Sequence, residues 1–174
     1  ITGSGPTANN GNYIFVQAGG NTTALTVNPA TLTYNATAAT SIYGSTPSVN
    51  AGTVTGWVNT DNQANATTGT LLFSTTATAT SNVGSYAING SGLTANNGNY
   101  VFVQAAGNTT ALTVNAAPLT VTATNASKTY DGLIYTGGNG VTYNGFVNSQ
   151  TSAVLAGTLA YSGTSQNAVN TGTY

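Results

Sequence analysis

The chain of 174 residues has no histidine, cysteine or methionine, and its only charged side chains are those of Asp61, Lys128 and Asp131. Without histidine or cysteine it cannot build a typical zinc site, a Ser-His-Asp triad or a thiolate nucleophile. A single lysine gives no basic surface for nucleic-acid phosphates, and two distant aspartates give no calcium cage. We therefore expect no catalytic residues, no metal ion, no cofactor and no nucleic-acid partner, and the chain is not expected to be an enzyme.

The same composition predicts a folded protein with a thin hydrophobic core. Hydrophobic residues make up 40% of the chain, with ten tyrosines, four phenylalanines and one tryptophan, while the formal net charge is only −1. Disordered chains have the opposite balance, with few aromatic residues and high net charge. The chain contains no run of about 18 apolar residues, so we expect no insertion into a membrane.

An internal repeat organises the sequence. Residues 1–28 and 88–115 are identical at 24 of 28 positions, with an offset of 87. Further motifs continue this alignment, after a small change in length: Leu32-Thr33 with Leu119-Thr120, Tyr43-Gly44 with Tyr130-Asp131, Gly56-Trp57-Val58-Asn59 with Gly145-Phe146-Val147-Asn148, Gly69-Thr70-Leu71 with Gly157-Thr158-Leu159, and Gly84-Ser85-Tyr86 with Gly172-Thr173-Tyr174.

Three segments follow from this alignment. Residues 1–28, here called the amino segment, correspond to the C-terminal part of a repeat unit. Residues 29–115 are one complete unit, the central unit, and residues 116–174, the carboxyl segment, are the N-terminal part of another. We expect the chain to be an excerpt of a longer tandem array, in which neighbouring units of a fibre complete one another's sheets.

Within a unit, apolar residues alternate with threonine, serine or alanine, which is the period-two pattern of half-buried strands. Turn signals such as Asn97-Gly98, typical of type I′ hairpin turns, separate the runs. These patterns predict an all-β fold of small tandem β-sandwich or β-grasp-like modules arranged end to end, with at most one short helical turn per unit, near 61–67 and 150–155. The predicted strands of the central unit are 31–36, 52–58, 69–75, 83–89, 99–105 and 109–115, with equivalents in the flanking segments.

The carboxyl segment carries motifs of a known kind of repeat. Lys-Thr-Tyr-Asp-Gly at 128–132 is followed by Gly-Phe-Val-Asn at 145–148 and Gly-Thr-Leu at 157–159. With the 87-residue period, these motifs resemble the YDG-type and MBG-type repeats of giant secreted or surface-attached bacterial adhesins, many of which look like filamentous haemagglutinins. The carboxyl segment resembles a YDG repeat, and the central unit a divergent MBG repeat with Tyr43-Gly44 in place of Tyr-Asp-Gly. The resemblance implies a β-rich extracellular stalk or filament module, and it carries over no catalytic residue.

Two threonine arrays are the candidate surface-binding residues. Thr-x-Thr-x-Thr on a strand would present a regular row of hydroxyls to ice or to a glycan, whereas the simpler interpretation is that threonine suits the solvent face of a strand. The arrays comprise Thr76, Thr78 and Thr80, and Thr120, Thr122 and Thr124.

Trp57 also has two interpretations. It would serve, with tyrosines, as a platform on which a sugar stacks, or it would belong to the core. Its alignment with Phe146 and its apolar neighbours Val54 and Val58 favour the core.

Lys128 and Asp131 are either an exposed ion pair or part of a covalent staple. A Lys–Asn isopeptide bond would need a buried carboxylate beside the pair, and Asp131 is the nearby candidate. Ser41 and Gly44 occupy the aligned positions of the central unit, which argues against a staple common to all units.

These observations lead to two functional hypotheses. The first is a structural or adhesive repeat module of a very long, secreted or surface-attached extracellular bacterial protein, forming a stalk or filament. Its partners would be neighbouring repeats of the chain, other copies of the protein, and cell-surface or matrix glycans; near-zero charge removes repulsion between copies. The alternative is a surface-binding module that recognises glycan or ice through the threonine arrays and exposed aromatic side chains.

Overall fold

The computed structural model describes all residues 1–174, and its regular structure is mostly β, which confirms that part of the predicted fold class. None of its helices is long and apolar enough to cross a bilayer. One α-helical turn, α1 (Gln63–Ala66), accompanies several 3₁₀ turns. The strands are β1 (Ala30–Ala36), β2 (Ala39–Ile42), β3 (Gly52–Thr55), β4 (Thr67–Ser74), β5 (Gly84–Tyr86), β6 (Asn89–Ala95), β7 (Tyr100–Gln104), β8 (Leu112–Asn115), β9 (Thr120–Ala123) and β10 (Val141–Asn144).

Three small sheets build the central unit. In the first, β1 lies in the middle, antiparallel to β3 and parallel to β7. In the second, β8 lies in the middle, parallel to β2 and antiparallel to β5. The third is the antiparallel pair β4 and β6. The two middle strands come from opposite ends of the unit, so neither three-stranded sheet forms without both ends.

Alternation along the strands explains the core. On β1, Leu32 and Tyr34 are buried while Thr31 is exposed, and on β8 Leu112 and Val114 are buried between exposed threonine and asparagine. This is the period of two that a half-buried strand imposes. Each fully buried leucine or valine contributes about 1.5–3 kcal/mol relative to its exposed state.

The buried side chains form two hydrophobic clusters, both within the central unit. The larger cluster contains Tyr34, whose ring stacks on Phe102 at a centroid distance of 5.1 Å and meets Phe73 edge-on at 6.4 Å. The smaller cluster lies where the chain enters the unit, which we call the upstream end. It consists of Leu32, Ala66 and Tyr100, with Trp57 and Ala30 packed against it.

A buried amide joins the two ends of the unit. Asn108 is 2% exposed, and its Oδ1 accepts a hydrogen bond from the backbone N–H of Ala36 at 2.9 Å. Its Nδ2 donates to the carbonyl oxygen of Tyr34 at 3.0 Å and to Oε1 of Gln104 at 2.9 Å. Gln104 in turn bonds both backbone groups of Gly90, at 2.9 and 2.7 Å. Because a buried amide without partners is costly, this network fixes the chain path at one position.

The predicted turn at Asn97-Gly98 and the predicted helical turn near 61–67 both form. Asn97 and Gly98 have φ values of 57° and 67°, the positive values that both central residues of a type I′ turn require. The predicted hairpin is nevertheless wrong, because the flanking strands β6 and β7 enter different sheets and do not pair with each other. Asn62 caps α1 by accepting hydrogen bonds from the N–H groups of Ala64 and Asn65.

The predicted strand at 83–89 is wrong as a single element. The chain ends β5 at Tyr86 and begins β6, in another sheet, at Asn89. Between them Ile88 is fully buried, and its N–H donates to the carbonyl oxygen of Asn108 at 2.9 Å. Alternation continues through the break, so periodicity does not reveal it. The sequence analysis does not predict β2 or β6. The glycines of β6 are typical of a turn, and this segment becomes a strand only by pairing with β4.

The carboxyl segment repeats two of the three strands of the first sheet. Its strands β9 and β10 pair with Val121 opposite Tyr143, in the register in which Tyr34 lies opposite Val54 in the central unit. No third strand pairs with β9, so this sheet has two strands where the central unit has three.

The amino segment contains no strand, so the predicted equivalents of β7 and β8 in it are wrong. Its 3₁₀ turns at Asn9–Gly11 and Gly19–Thr23 nevertheless match those at Asn96–Gly98 and Ala106–Thr110. The local conformation is therefore retained and only the pairing is absent, since a strand needs a hydrogen-bonded neighbour.

Replacing Leu112 by alanine tests where the stability of the chain resides. Leu112 is fully buried, so Leu112→Ala is expected to lower the free energy of unfolding by about 2–5 kcal/mol. The matched control is Leu25→Ala, at the aligned position of the amino segment, which is 69% exposed and should change stability by less than about 0.5 kcal/mol. Urea unfolding in dilute solution, followed by tyrosine and tryptophan fluorescence, measures both. Equal losses would contradict this account of the core.

Candidate functional site

The three charged side chains lie in two separate places, with Lys128 and Asp131 in one and Asp61 in the other. Nζ of Lys128 lies 2.6 Å from Oδ1 of Asp131, and it also donates to the carbonyl oxygen of Leu133. The hydrogen bond from Lys128, joined by one from the N–H of Leu133, holds the pKa of Asp131 below its usual value. Both side chains of the ion pair are partly exposed, so the pair lacks the buried carboxylate that an isopeptide staple needs. It closes a surface loop.

Asp61 supports the upstream end of the central unit. Its Oδ2 accepts a hydrogen bond of 2.6 Å from Oη of Tyr100, whose Oη accepts another from the N–H of Val58 at 3.0 Å. The bond to the Asp61 carboxylate stabilises the neutral phenol and raises the pKa of Tyr100 above 10.0. The pair ties the turn after β3 to β7.

The first threonine array lies in a turn. Thr76, Thr78 and Thr80 are all exposed, but they follow the end of β4 rather than lying on a strand. Oγ1 of Thr78 and Oγ1 of Thr80 are 3.1 Å apart and hydrogen-bonded to each other, and Oγ1 of Thr78 also accepts from the N–H of Thr80. These hydroxyls are therefore engaged within the turn.

The second threonine array lies on a strand. Thr120 and Thr122 are exposed positions of β9, two residues apart and therefore on one face, and Thr124 is exposed just beyond the strand. Thr122 lies opposite Thr142 of β10, which extends the hydroxyl surface by one residue. Surface binding by either array stays a prediction.

Trp57 is half-buried and packs against the smaller hydrophobic cluster. Its ring meets that of Tyr100 edge-on, with centroids 5.8 Å apart, and its Nε1 donates to the carbonyl oxygen of Val54 at 3.1 Å. This confirms the core interpretation for Trp57, although the neighbouring Val58 is 44% exposed.

The contact between the central unit and the carboxyl segment was missed in the sequence. Nε2 of Gln150 donates to Oη of Tyr43 at 2.9 Å, and Nδ2 of Asn148 donates to the carbonyl oxygen of Ala79 at 3.1 Å. Both acceptors belong to the central unit, at the end opposite Trp57 and Tyr100, which we call the downstream end. The only available signal was the placement of Tyr43 beside a glycine in a repeated motif.

Apolar packing completes this contact, here called the junction. Gly44 has a φ of 95°, and a Cβ at this position would lie 2.6–2.8 Å from the side-chain carbons of Val147, so the approach requires glycine. A cavity of about 220 Å³ beside it is lined mainly by apolar side chains. These include Tyr43, Val83, Ala117, Phe146, Val147 and Leu155.

The junction explains the repeated motifs. Tyr43-Gly44 lies at the downstream end of the central unit, and Gly145–Asn148 is the aligned counterpart of Gly56–Asn59 at the upstream end. The Gly-Phe-Val-Asn motif of one repeat therefore packs against the Tyr-Gly motif of the one before it.

The comparison with protein families agrees with these motifs. Residues 32–110 match the family described as MBG domain (YGX type), and Tyr43-Gly44-Ser45 supplies the three letters of the type. The match covers most of the central unit, which we therefore call the MBG domain from here on. This confirms the resemblance stated from the sequence. No curated protein and no solved structure gives a significant match to the chain.

The MBG domain and the carboxyl segment contain few groups that titrate near neutral pH. We therefore expect their free energy of unfolding to change little with pH in that range. The stabilisation from Asp131, whose pKa is lowered, is complete above about pH 4 and is lost as the pH falls through the lowered pKa. The stabilisation from Tyr100, whose pKa is raised, is complete below about pH 10 and is lost as the pH rises through the raised pKa. The thermal midpoint should therefore barely change between pH 4 and 9 and fall above pH 10. In Asp61→Asn the fall at high pH should be smaller; a large shift near pH 7 would contradict the assignment.

Proposed function

We propose that this chain is part of a structural and adhesive repeat array of a long extracellular bacterial protein, in which units stack end to end as a stalk or filament without catalysing a reaction. The MBG domain marks it as a repeat module of a surface protein. The observation that carries the stalk proposal is the junction, in which the carboxyl segment packs directly on the downstream end of the MBG domain.

The geometry of the junction favours an open array. Its two sides are different surfaces, the Tyr-Gly turn of one repeat and the Gly-Phe-Val-Asn turn of the next. The MBG domain carries a Tyr-Gly turn at its downstream end and Gly56–Asn59, the counterpart of the Gly-Phe-Val-Asn turn, at its upstream end, so an array of such domains can repeat the contact. Head-to-tail contacts of this kind generate filaments when the rotation between units does not close a ring.

The short connection between the units indicates that they bend little relative to each other. Only Ala116, Ala117 and Pro118 separate the end of β8 from Leu119, and Ala117 is itself part of the junction. A proline in so short a connector restricts its backbone further. An array of such units is expected to behave as a semi-rigid rod rather than as beads on a flexible string.

The surface composition suits an extended assembly. The exposed polar side chains are mostly those of threonine and asparagine, which do not titrate, and the few charges nearly cancel. Adjacent copies therefore do not repel one another, and their contacts depend little on pH or salt. We propose an extracellular location on this basis and on that of the family.

A variant of the junction tests the stacked arrangement. Val147→Asp places a charge against Gly44 and should free the carboxyl segment from the MBG domain, increasing the spread of end-to-end distances in small-angle X-ray scattering. Val58→Asp is the matched control, because Val58 is the aligned residue of the MBG domain and is already exposed. It should leave the scattering profile of the dilute chain unchanged. Identical profiles for both variants and the parent chain would contradict the stalk proposal.

The location has its own test. Antibodies raised against the MBG domain should label intact cells of the source organism, and electron microscopy should show the label along filaments. Labelling only after lysis would exclude a surface array.

Surface binding is the second candidate function, and the exposed row of Thr120 and Thr122 on β9 is the observation that favours it. Substituting both by alanine should abolish binding to a glycan array or thermal hysteresis, whereas Thr76→Ala with Thr78→Ala should not. Absence of both activities in the parent chain would reject this candidate.

A further inference from the structure

We propose that the residue after the repeat tyrosine decides how the following repeat is held. Glycine at this position, as at Gly44, lets the Gly-Phe-Val-Asn turn of the next repeat pack closely, whereas aspartate, as at Asp131, excludes this packing. A repeat with a Tyr-Gly turn is then followed by a tight joint, and a repeat with a Tyr-Asp-Gly turn by a looser one. The inference deepens the stalk proposal and rests on it, because it concerns how neighbouring repeats of the array are joined.

Gly44 lies against Val147 with no room for a side chain. A Cβ at Gly44 would be 2.6 Å from Cβ of Val147 and 2.7 and 2.8 Å from its two Cγ atoms, and real Cβ atoms almost never come within 3.0 Å of another heavy atom. Rotating the valine side chain does not relieve the contact, because its Cβ is fixed by the backbone. Any residue other than glycine would therefore push the two repeats apart.

The backbone of Gly44 also takes part in the joint. Its N–H donates to the carbonyl oxygen of Ala79 at 2.9 Å, and Nδ2 of Asn148 donates to the same oxygen at 3.1 Å. One carbonyl oxygen, with its two lone pairs, thus accepts a hydrogen bond from each repeat. The apolar approach and the polar contact therefore depend on the same position of the Tyr-Gly turn.

Asp131 takes the place of Gly44 in the carboxyl segment, by the offset of 87 that aligns Tyr43 with Tyr130. At the position of Gly44, an aspartate would bring both a Cβ and a carboxylate into a contact lined mainly by apolar side chains. Burying a carboxylate without a partner is costly. A Tyr-Asp-Gly turn therefore cannot receive the Gly-Phe-Val-Asn turn in the geometry of the junction.

The two tyrosine turns are closed by different bonds. In the carboxyl segment, Nζ of Lys128 bonds the carboxylate of Asp131 and the carbonyl oxygen of Leu133. In the MBG domain the aligned residue is Ser41, whose Oγ donates to the carbonyl oxygen of Ser45 at 3.2 Å. Serine closes its turn without an acidic partner, so the MBG domain needs no side chain after its tyrosine. Lysine with aspartate and serine with glycine are two alternative ways to close the same turn.

The Gly-Phe-Val-Asn turn has a close counterpart in the MBG domain. Gly56 and Gly145 have φ values of 103° and 120°, and a Cβ on either would meet a backbone carbonyl oxygen of its own repeat. Asn59 and Asn148 also have positive φ values, of 56° and 53°. Each turn is closed by a hydrogen bond to the carbonyl oxygen of its valine, at 3.1 and 3.0 Å. Both repeats therefore present the same kind of docking turn, and they differ in the surface that receives it.

The joint can accommodate the side chains that differ between the two docking turns. Phe146 lines the junction cavity of about 220 Å³, which leaves room for the larger ring that Trp57 supplies at the aligned position. Nε2 of Gln150 donates to Oη of Tyr43, and a carboxylate such as that of the aligned Asp61 would accept from this hydroxyl instead. We therefore expect these exchanges to leave the joint closed.

Repeat order would then set the stiffness of the array. In a linear array each repeat contacts only its neighbours, so every joint acts independently of the others. Successive repeats with Tyr-Gly turns would form a stiff stretch, and each repeat with a Tyr-Asp-Gly turn would introduce a point at which the array bends.

Pulsed electron spin resonance between two spin labels measures whether the joint is closed. The chain has no cysteine, so labels can be attached at Thr53→Cys on β3 and Thr142→Cys on β10. Both positions are exposed, and they correspond to each other in the two repeats. A closed joint should give one narrow peak of label-to-label distances, and an open joint should give a broad distribution.

The decisive variant builds the Tyr-Asp-Gly turn into the MBG domain. Ser41→Lys with Gly44→Asp gives the new aspartate the lysine that Asp131 has, and it should lose the narrow peak. Ser41→Lys with Ser45→Asp is the matched control, because it has the same charges and places the carboxylate on an exposed neighbour. The control should keep the peak. Both variants should keep the fluorescence of Trp57, at the opposite end of the domain, which shows that the domain is folded.

Gly44→Asn separates the contact with Val147 from backbone strain. Asparagine tolerates a positive φ better than most residues, but its Cβ would still meet Val147. This variant should also lose the narrow peak. A peak as narrow as that of the parent chain would overturn the proposal, because close packing would then not require glycine.

Exchanging the docking turn tests on which side of the joint the selectivity lies. Phe146→Trp with Gln150→Asp gives the carboxyl segment the side chains of the MBG domain and should keep the narrow peak. Loss of the peak would overturn the proposal, since the docking turn rather than the residue after the tyrosine would then select its neighbour.

The outcomes separate this inference from the proposed function. A broad distribution in the labelled parent chain would reject the closed junction and with it the stalk. A narrow peak in the parent that persists after Ser41→Lys with Gly44→Asp overturns the role of Gly44 and leaves the stalk intact. Loss of the peak in the Ser45→Asp control as well would also overturn it, because added charge at the turn would then be sufficient.

Discussion

The parallel pairing of β1 with β7 is the contact on which the rest of the MBG domain depends. It joins Ala30 to Tyr100, residues far apart in sequence, and brings the buried faces of both strands together. Closing so long a loop costs entropy that local structure does not recover. The two strands therefore form only with the whole unit, which explains why the amino segment has the right turns but no strand.

Asn108 fixes the position of the last part of the unit relative to β1. A slip of register by one residue would turn the apolar side chains of a strand toward solvent. However, a core with few large side chains distinguishes only weakly between alternative packings. A buried amide with all its partners satisfied adds a directional requirement. The amide reaches the backbone of β1 through Tyr34 and Ala36, so the correct alignment of first and last strands is also the one that satisfies it.

The junction uses residues other than those that hold the MBG domain together. Nε2 of Gln150 donates there to Oη of Tyr43, a residue at the downstream end of the domain. In the proposed array this contact would orient neighbouring units, and their near-neutral surfaces would let it form without charge repulsion.

The amino-acid sequence alone was enough to predict the mostly β fold class, the repeat, the turn at Asn97-Gly98, the helical turn near 61–67 and the family resemblance, because these depend on local chemistry and on identity between repeats. The sequence also contains no histidine, cysteine, glutamate or arginine. Tertiary structure decided that the stretch through Tyr86 and Asn89 is two strands in different sheets, and that the first threonine array is a turn. It alone placed Tyr43 against Gln150. Each of these features depends on which distant segment is available for pairing. The alternation of apolar and polar residues along one strand does not indicate which strand pairs with it.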